Sequence, residues 1–457
     1  MMSGRVQFYL NRAPERIEAP SATRTLLDYL RYEKGLTGTK EGCAEGDCGA
    51  CTVVLGEAGG YRAVNSCILF LPALDGKEVI TVEGLRQPDG RLHPVQQALV
   101  DTHGSQCGFC TPGIVMSLFA HYLGGGSCDS ATLSTVLAGN LCRCTGYGPI
   151  LAAGAAMHSY AAPVQAVPLP PLKRDDMLAT GGFLAPRTIA ELCGLLAEHP
   201  DATLLAGGTD VGLWVTKQHK ELPTVIYLGR VEALNRIEET ERALIIGAGV
   251  RYADALPRLA ALWPAFGTLI ERLGAVQVRS VGTIGGNIAN GSPIGDSLPV
   301  LIALGAEITL RGSDGRRRLP VESYFLGYQK QDRRPGEFVE QIIIPRPGPD
   351  EFFRCYKISK RIDQDISAVC GAFNLHRAGG VVQEARIAFG GMAATPKRAP
   401  SCEAALHGRP WTLETVRAAA AVLDQDFAPI SDFRASADYR LRVARNLLVK
   451  AFLEDAP

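Results

Sequence analysis

Residues Arg5 to Leu10 alternate polar and apolar, the period of a half-buried strand, and Arg16 to Pro20 is placed to return as its hairpin partner. From Ser21 to Tyr32 the spacing becomes helical, with Leu26, Leu27 and Leu30 on one face. A glycine-rich loop from Gly35 to Gly49 follows, and strand character returns at Cys51–Leu55 and Glu78–Val82. This predicts a small β-rich unit with one helix across it. At His93 the period changes to about 3.6 residues. Val95, Leu99 and Thr102 then share a face. Thr111 and Pro112 read as a helix start, a hydroxyl cap followed by proline, with Ile114, Val115, Leu118, Phe119 and Tyr122 as the apolar stripe behind it. Ser130 reads as the cap of a third helix that stops at Gly139, and Gly148–Pro149 opens a fourth. Four short helices predict a small bundle.

Residues 159–182 show no apolar period and are rich in alanine and proline, with the charge run Lys173–Asp176, so they read as a linker. Beyond them the pattern predicts a helix at Ile189–Ala197 and a strand at Thr203–Ala206 that runs into Gly207 and Gly208. A glycine-rich segment at 280–296, a hairpin at Ser313–Gly315, a strand at Glu384–Phe389 and a final helix at Tyr439–Phe452 complete the sequence, with no internal repeat. At 457 residues the chain is too long for one ordinary core. Lys plus Arg and Asp plus Glu both number 47, which argues against binding nucleic acid or anionic membrane through bulk charge. No uninterrupted apolar stretch reaches membrane-spanning length, and the first residues alternate like a strand rather than forming the apolar block of an export signal. The expectation is a soluble cytoplasmic protein.

Thirteen cysteines change this picture, because nine fall before residue 145. Without an export signal a disulfide framework is not expected, and tight cysteine groups point to metal or redox sites. Cys43, Cys48 and Cys51, with Cys67 further on, match the C-x4-C-x2-C spacing that plant-type ferredoxins use for a 2Fe–2S cluster. Two irons bridged by two sulfides need four soft thiolates, and with four thiolates the oxidised cluster is an anion. Gly42, Gly46 and Gly49 remove side chains that would block a loop from curling its N–H groups around that charge. A four-thiolate zinc site is the alternative, although zinc ribbons pair two C-x2-C knuckles, which is not this spacing. Cys107 and Cys110, then Cys142 and Cys144, form a second group of two close pairs, each just before a predicted helix start. Helix N-termini suit an anionic cluster, but spacing alone leaves zinc open here. The scattered Cys193, Cys355, Cys370 and Cys402 read as small buried apolar residues.

Two glycine segments also carry candidate chemistry. Residues 204–211 read as a strand running into a glycine pair and a hydroxyl. Thr283 to Asn287, followed by Ser292 to Asp296, reads as a second such loop. Glycines let backbone close on a diphosphate, while hydroxyls and amides add donors, and Asp296 is placed to hydrogen-bond a ribose or ring edge. Neither segment fits G-x-G-x-x-G, and Gly247–Gly249 lacks the third glycine, so a Rossmann site is disfavoured. Composition alone would make these ordinary turns.

The wording of Gln106–Gly113 (QCGFCTPG) and Gly139–Tyr147 (GNLCRCTGY) resembles the helical 2Fe–2S domain of the molybdenum hydroxylase family. The Cys43–Cys51 loop resembles that family's ferredoxin domain, and the glycine segments its FAD domain, so the resemblance covers nearly the whole chain. It implies a multidomain α+β fold: a β-grasp ferredoxin domain at 1–83, a four-helix 2Fe–2S bundle at 84–158, the linker at 159–182, an α+β FAD-binding domain of vanillyl-alcohol-oxidase type at 183–342, and a small α+β C-terminal flavoprotein domain at 343–457. It implies that the eight cysteines of the two groups, Cys43, Cys48, Cys51, Cys67, Cys107, Cys110, Cys142 and Cys144, hold two 2Fe–2S clusters. By the same resemblance FAD is bound by Leu204, Leu205, Ala206, Gly207, Gly208, Thr209, Asp210 and Val211, by Thr283, Ile284, Gly285, Gly286 and Asn287, and by Asp296 and Lys357. Leu273 stands where some relatives place an aromatic near the flavin ring. The residue matching Gln106 touches the pterin in the family, although a polar residue opening a helix is the other reading.

Asp363 and Asp365 fall in the stretch that lies near the nicotinamide dock of NAD-reducing relatives, or are a solvated charge run. No residue is assigned a catalytic acid or base role, and the histidines show no metal-ligand pairing. The chain stops where the family's long molybdenum domain would begin. The resemblance therefore implies a larger partner subunit carrying a molybdopterin cofactor, in an (αβ)2 heterotetramer. Within the family the pattern is most like the small subunit of bacterial xanthine dehydrogenases. That implies electrons passing from the partner's molybdenum through both clusters to FAD and then to NAD+, in oxidation of hypoxanthine and xanthine to urate. An aldehyde or N-heterocycle hydroxylase subunit, a stand-alone iron–sulfur flavoprotein carrier and a zinc-stabilised scaffold are the alternatives.

Overall fold

A computed structural model describes residues 4–163, 169–172 and 177–455. Of the expected linker, Pro168 and the Lys173–Asp176 charge run lie outside the described residues, while Leu178–Thr180 is a strand paired antiparallel with Phe183–Ala185. The chain forms two compact units: Met1–Leu195 with Asp201–Val231 and Gly274–Gly282, and Leu196–Pro200 with Glu232–Leu273 and Thr283–Pro457.

In the first unit, β1 (Arg5–Leu10), β2 (Ala13–Glu18), β3 (Thr52–Glu57), β4 (Gly60–Asn65) and β5 (Glu78–Ile80) form one sheet in the order β2-β1-β5-β3-β4. β1 and β5 run parallel and the other neighbours antiparallel, the mixed arrangement of a β-grasp. The hairpin partner of β1 begins at Ala13 rather than Arg16. Asn11 and Arg12 sit at φ 47° and 71°, the two-residue turn that matches strand twist, and Pro14 is accommodated because β2 is an edge strand. The expected Ser21–Tyr32 helix is also shorter. Thr25, which accepts from Asp28 N–H at 3.1 Å, caps a turn at Leu26–Asp28 that widens into a π-helical turn at Tyr29–Glu33.

Helices Pro94–Asp101, Thr111–Gly124, Ser130–Leu137 and Gly148–Ala156 form the expected bundle around Val95, Leu99, Ile114, Leu118, Leu133, Leu137 and Ile150. Two of its caps differ from expectation. Asp129 rather than Ser130 caps the third helix, accepting from the N–H groups of Ala131 and Thr132. Cys110 occupies the cap position of the second, so Thr111 is its first helical residue. His93 caps the first helix. Its Nδ1 accepts from Val95 N–H at 3.3 Å, its backbone N–H donates to Gln96, and its ring is packed edge-on against Phe119 and Tyr122.

Burial pushes the His93 pKa down from 6.5 to about 4. The unfolded chain therefore takes up a proton near pH 6.5 that the folded bundle refuses until about pH 4. Stability is complete above pH 6.5 and declines as pH falls through that window, because a protonated Nδ1 cannot accept the Val95 bond. The thermal unfolding midpoint is expected to fall between pH 6.5 and 4, and His93→Asn, which keeps a capping acceptor without a titrating ring, should flatten that part of the profile.

The second unit holds an antiparallel five-stranded sheet in the order Ile237–Glu239, Ala243–Gly247, Phe338–Pro345, Glu307–Gly312, Gly315–Pro320, with the expected hairpin turning at Ser313 and Asp314. It also holds an antiparallel sheet of Glu351–Ile358, Val369–Ala378, Val381–Gly390 and Lys397–Arg398. The final helix, Ala437–Leu453, buries Ala444, Leu447 and Leu448 in a core shared with Phe373 and Phe389 of that sheet. Cys355, Cys370 and Cys402 are buried as expected, whereas Cys193 is half-buried. Among the described residues no helix is long and apolar enough to cross a membrane.

Candidate cofactor sites

The first cysteine loop curls because Ala44, Gly46 and Gly49 adopt φ values of 54°, 77° and 70°. This turns the N–H groups of Glu45, Asp47 and Cys48 onto Cys43 Sγ, at 3.4, 3.4 and 3.3 Å, while Cys43 N–H donates to Cys48 Sγ at 3.3 Å. The hydrogen bond from the Cys48 side chain, reinforced by these N–H groups, brings the Cys43 pKa down to about 4 and drives that of Cys48 up. Cys51, at the start of β3, and Cys67, in the turn after β4, are both buried and hydrogen-bonded to each other. Cys51 is held down by that bond, and Cys67 is driven up. Asn65, on a strand that the sequence pattern did not reveal, donates its side-chain amide to Gly46 C=O at 2.9 Å and pins the loop to the sheet.

In the helical bundle the thiols pair across the two segments rather than within them: Cys107 with Cys144, and Cys110 with Cys142. The Phe109 N–H and the Cys144 side chain lower Cys107, and Cys107 raises Cys144. Burial and the Cys142 side chain push Cys110 up to about 12. Burial opposes the shift at Cys142, but hydrogen bonds from Thr145, whose Oγ1 lies 3.1 Å from Sγ, bring it down. Tyr147 accepts from Cys142 N–H at 2.8 Å and donates to Asn140 C=O at 3.1 Å, which makes it a brace for this loop.

All eight sequence-predicted thiols thus fall into four pairs. Among the described residues no three metal-ligating side chains converge on one point. Thiols approaching in twos fit a dinuclear cluster, in which each iron takes two of the four thiolates. The loop also leaves room for one: a Cβ on Gly42 would stand 2.7 Å from Cys48 Sγ and 3.6 Å from the Phe109 ring. The two loops meet directly. Leu141 N–H donates to Cys48 C=O at 3.0 Å, and the Asn140 side-chain amide donates to Gly49 C=O at 3.1 Å.

The flavin candidates divide between the units. In the first, Leu204 and Leu205 end the strand Thr203–Leu205, Ala206 to Thr209 form a loop, and Asp210 stands exposed before the helix that begins at Val211. Gly207 packs so closely that a Cβ would strike Val281 C=O, and Gly208 lies at φ 74°. The N–H groups of Gly207, Gly208 and Thr209 carry no hydrogen bond among the described residues, which suits them to a diphosphate.

In the second unit the expected Thr283–Asn287 loop is instead the start of a helix, Ile284–Asn290. Thr283 caps it by accepting from Gly286 N–H at 3.0 Å, and Gly285 lets it pack against Ala248. Asn287 accepts from Ser297, and Leu273 is half-buried at the edge of the core. Asp296 and Lys357 are brought together as a buried ion pair at 2.6 Å, with Ser367 donating to the other carboxylate oxygen. Gln106 is exposed, and Asp365 accepts from the N–H groups of Arg361 and Ile366, the role of a turn residue.

Four family descriptions match along the chain: "2Fe-2S iron-sulfur cluster binding domain" at 8–71, "2Fe-2S binding domain" at 81–155, "FAD binding domain in molybdopterin dehydrogenase" at 178–347 and "CO dehydrogenase flavoprotein C-terminal domain" at 354–455. The xanthine dehydrogenase of Dictyostelium discoideum is 30% identical over 92% of this chain, which spans 38% of that relative's length. Carbon monoxide dehydrogenase from Hydrogenophaga pseudoflava, solved in a form lacking the Mo-pyranopterin moiety of its molybdenum cofactor, matches with TM-score 0.57 and 31% identity, over 59% of this chain and 95% of that one. Quinoline 2-oxidoreductase from Pseudomonas putida 86 matches with TM-score 0.55 and 25% identity, over 59% of this chain and 94% of that one. With paired thiols in two loops and flavin segments later in the sequence, the chain belongs to the molybdenum hydroxylase family, as its iron–sulfur and FAD-binding region.

Proposed function

We propose that this chain is the electron-transfer subunit of a xanthine dehydrogenase, working beside a larger subunit that binds the molybdenum cofactor. The observation that carries this reading is collinearity: both cluster regions and both flavin regions lie on one chain that aligns over 92% of its length with a xanthine dehydrogenase. The solved carbon monoxide dehydrogenase chain corresponds to only 59% of it. The eight paired cysteines would hold the two clusters. For FAD the candidates are the N–H groups of Gly207 to Thr209 in the first unit and, in the second, Thr283 to Asn287, Asp296 and Lys357. When bound, these groups supply one-electron and two-electron redox chemistry, by which electrons from hypoxanthine or xanthine would reach NAD+.

The chain's own residues contribute placement and electrostatics. The N–H groups that converge on Cys43 stabilise negative charge on sulfur, and the Leu141–Cys48 hydrogen bond joins one cysteine loop to the other. We place the domain limits at 1–83, 84–158, 183–342 and 343–457, a division supported by four successive family segments at 8–71, 81–155, 178–347 and 354–455.

The likeness to quinoline 2-oxidoreductase favours one second reading, the equivalent subunit of an N-heterocycle hydroxylase. Co-purification from the native source, followed by assay with xanthine, quinoline and aldehydes against NAD+, separates the two. A molybdenum-containing partner and xanthine-dependent NADH formation are expected. A complex that oxidises quinoline but not xanthine selects the second reading, and a chain that is active without a partner contradicts both.

A further inference from the structure

Gln277 is wholly buried in the short helix Val276–Arg279, within the Gly274–Gly282 stretch that belongs to the first unit. Its Nε2 lies 3.0 Å from Asn140 Oδ1, 3.0 Å from Ser117 Oγ and 3.2 Å from Thr52 Oγ1. The partners fix which way the amide faces. The Ser117 hydroxyl donates to Asn140 Oδ1 and the Thr52 hydroxyl to Gly49 C=O, both at 2.6 Å, so each turns a lone pair toward Gln277. Gln277 Oε1 is then left buried without a partner, beside Gly139. A buried unpaired carbonyl is costly, and a leucine or methionine here would leave none. What glutamine brings is two N–H groups shared among three lone pairs.

Those lone pairs belong to the junction of the two cysteine loops. Thr52 follows Cys51, Asn140 lies two residues before Cys142, and Ser117 is on the helix that follows Cys110. Asn140 passes the contact on by donating to Gly49 C=O, next to the Leu141–Cys48 backbone bond. We propose that Gln277 is a positioning residue for electron passage between the two clusters, holding Asn140 and hence the Leu141–Cys48 hydrogen bond in place. The proposal rests on the two-cluster reading above.

The test is low-temperature electron paramagnetic resonance of the full chain, reduced with dithionite, alongside its iron content. Two reduced clusters split each other's signals by an amount that depends on their separation and mutual orientation. Gln277→Met keeps the length and removes the donors. It is expected to retain full iron and both signals while the splitting changes. Gln277→Glu buries a carboxyl that takes up a proton and offers one O–H to Asn140, so its splitting should fall between those of the Met variant and the parent. An unaltered splitting in fully loaded Gln277→Met overturns the proposal. If that variant does not load, Ser117→Ala, which leaves the amide in place but removes one of its acceptors together with a donor to Asn140, must show a changed splitting or the proposal fails. A parent lacking two cluster signals overturns the reading on which the proposal rests.

Discussion

Serine in place of Cys48 is expected to remove one of two paramagnetic signals from the reduced protein and to halve its iron, while Cys142→Ser removes the other signal and leaves the first. The reason is local. Cys48 is paired with Cys43 in a loop whose N–H groups converge on sulfur, and an alkoxide is a harder, more basic and shorter ligand than the thiolate the cluster requires. Cys142 is paired with Cys110 in a separate loop braced by Tyr147. The two losses should therefore be independent. The surviving signal should lose the splitting imposed by its neighbour, and the Asn140 contacts to Gly49 and Thr52 add a small change in line shape, because each loop helps to hold the other. Variants that each keep both signals would remove these cysteines from the ligand sets.

The largest effect on stability is expected at Asp296 and Lys357. Both are buried, they pair at 2.6 Å, and Ser367 is the other donor to the carboxylate. Lys357→Met leaves Asp296 buried without its cation, which should cost about 3–5 kcal/mol in denaturant unfolding of the full chain. Replacing both partners by apolar residues of similar volume, as in Asp296→Leu with Lys357→Met, should return most of that loss, since a buried pair is often worth little against well-packed hydrophobic groups. The double variant also separates two roles. A protein that regains stability but not FAD places the pair in the flavin site, whereas one that regains both limits the pair to packing.

What the sequence revealed and what it hid divides along physical lines. The C-x4-C-x2-C spacing and the start of the Gly148 helix are local, so they were legible, and the Thr111 start was legible to within one residue, since Cys110 rather than Thr111 is the cap. The glycines of Gly285 and Gly286 suggested a loop, but a threonine cap and packing against Ala248 make that segment helical. Thiol pairing was hidden, because Cys107 and Cys110 are neighbours in sequence yet turn to Cys144 and Cys142 respectively. Strand β4 has no clean alternation, since its first residues are exposed at a turn and only Ala63 to Asn65 are buried. Gln277 gave no signal at all. Its three partners lie 137 to 225 residues away, and nothing in the neighbouring residues marks it as polar and buried. The same holds for Asp296 and Lys357, each legible as a candidate through family resemblance but not as partners 61 residues apart.

The most direct test of the whole account is quantitative analysis of iron, acid-labile sulfide and flavin in the purified chain. Two dinuclear clusters and one flavin predict about four iron, four sulfide and one FAD per polypeptide. Zinc without sulfide, or iron without flavin, would contradict it.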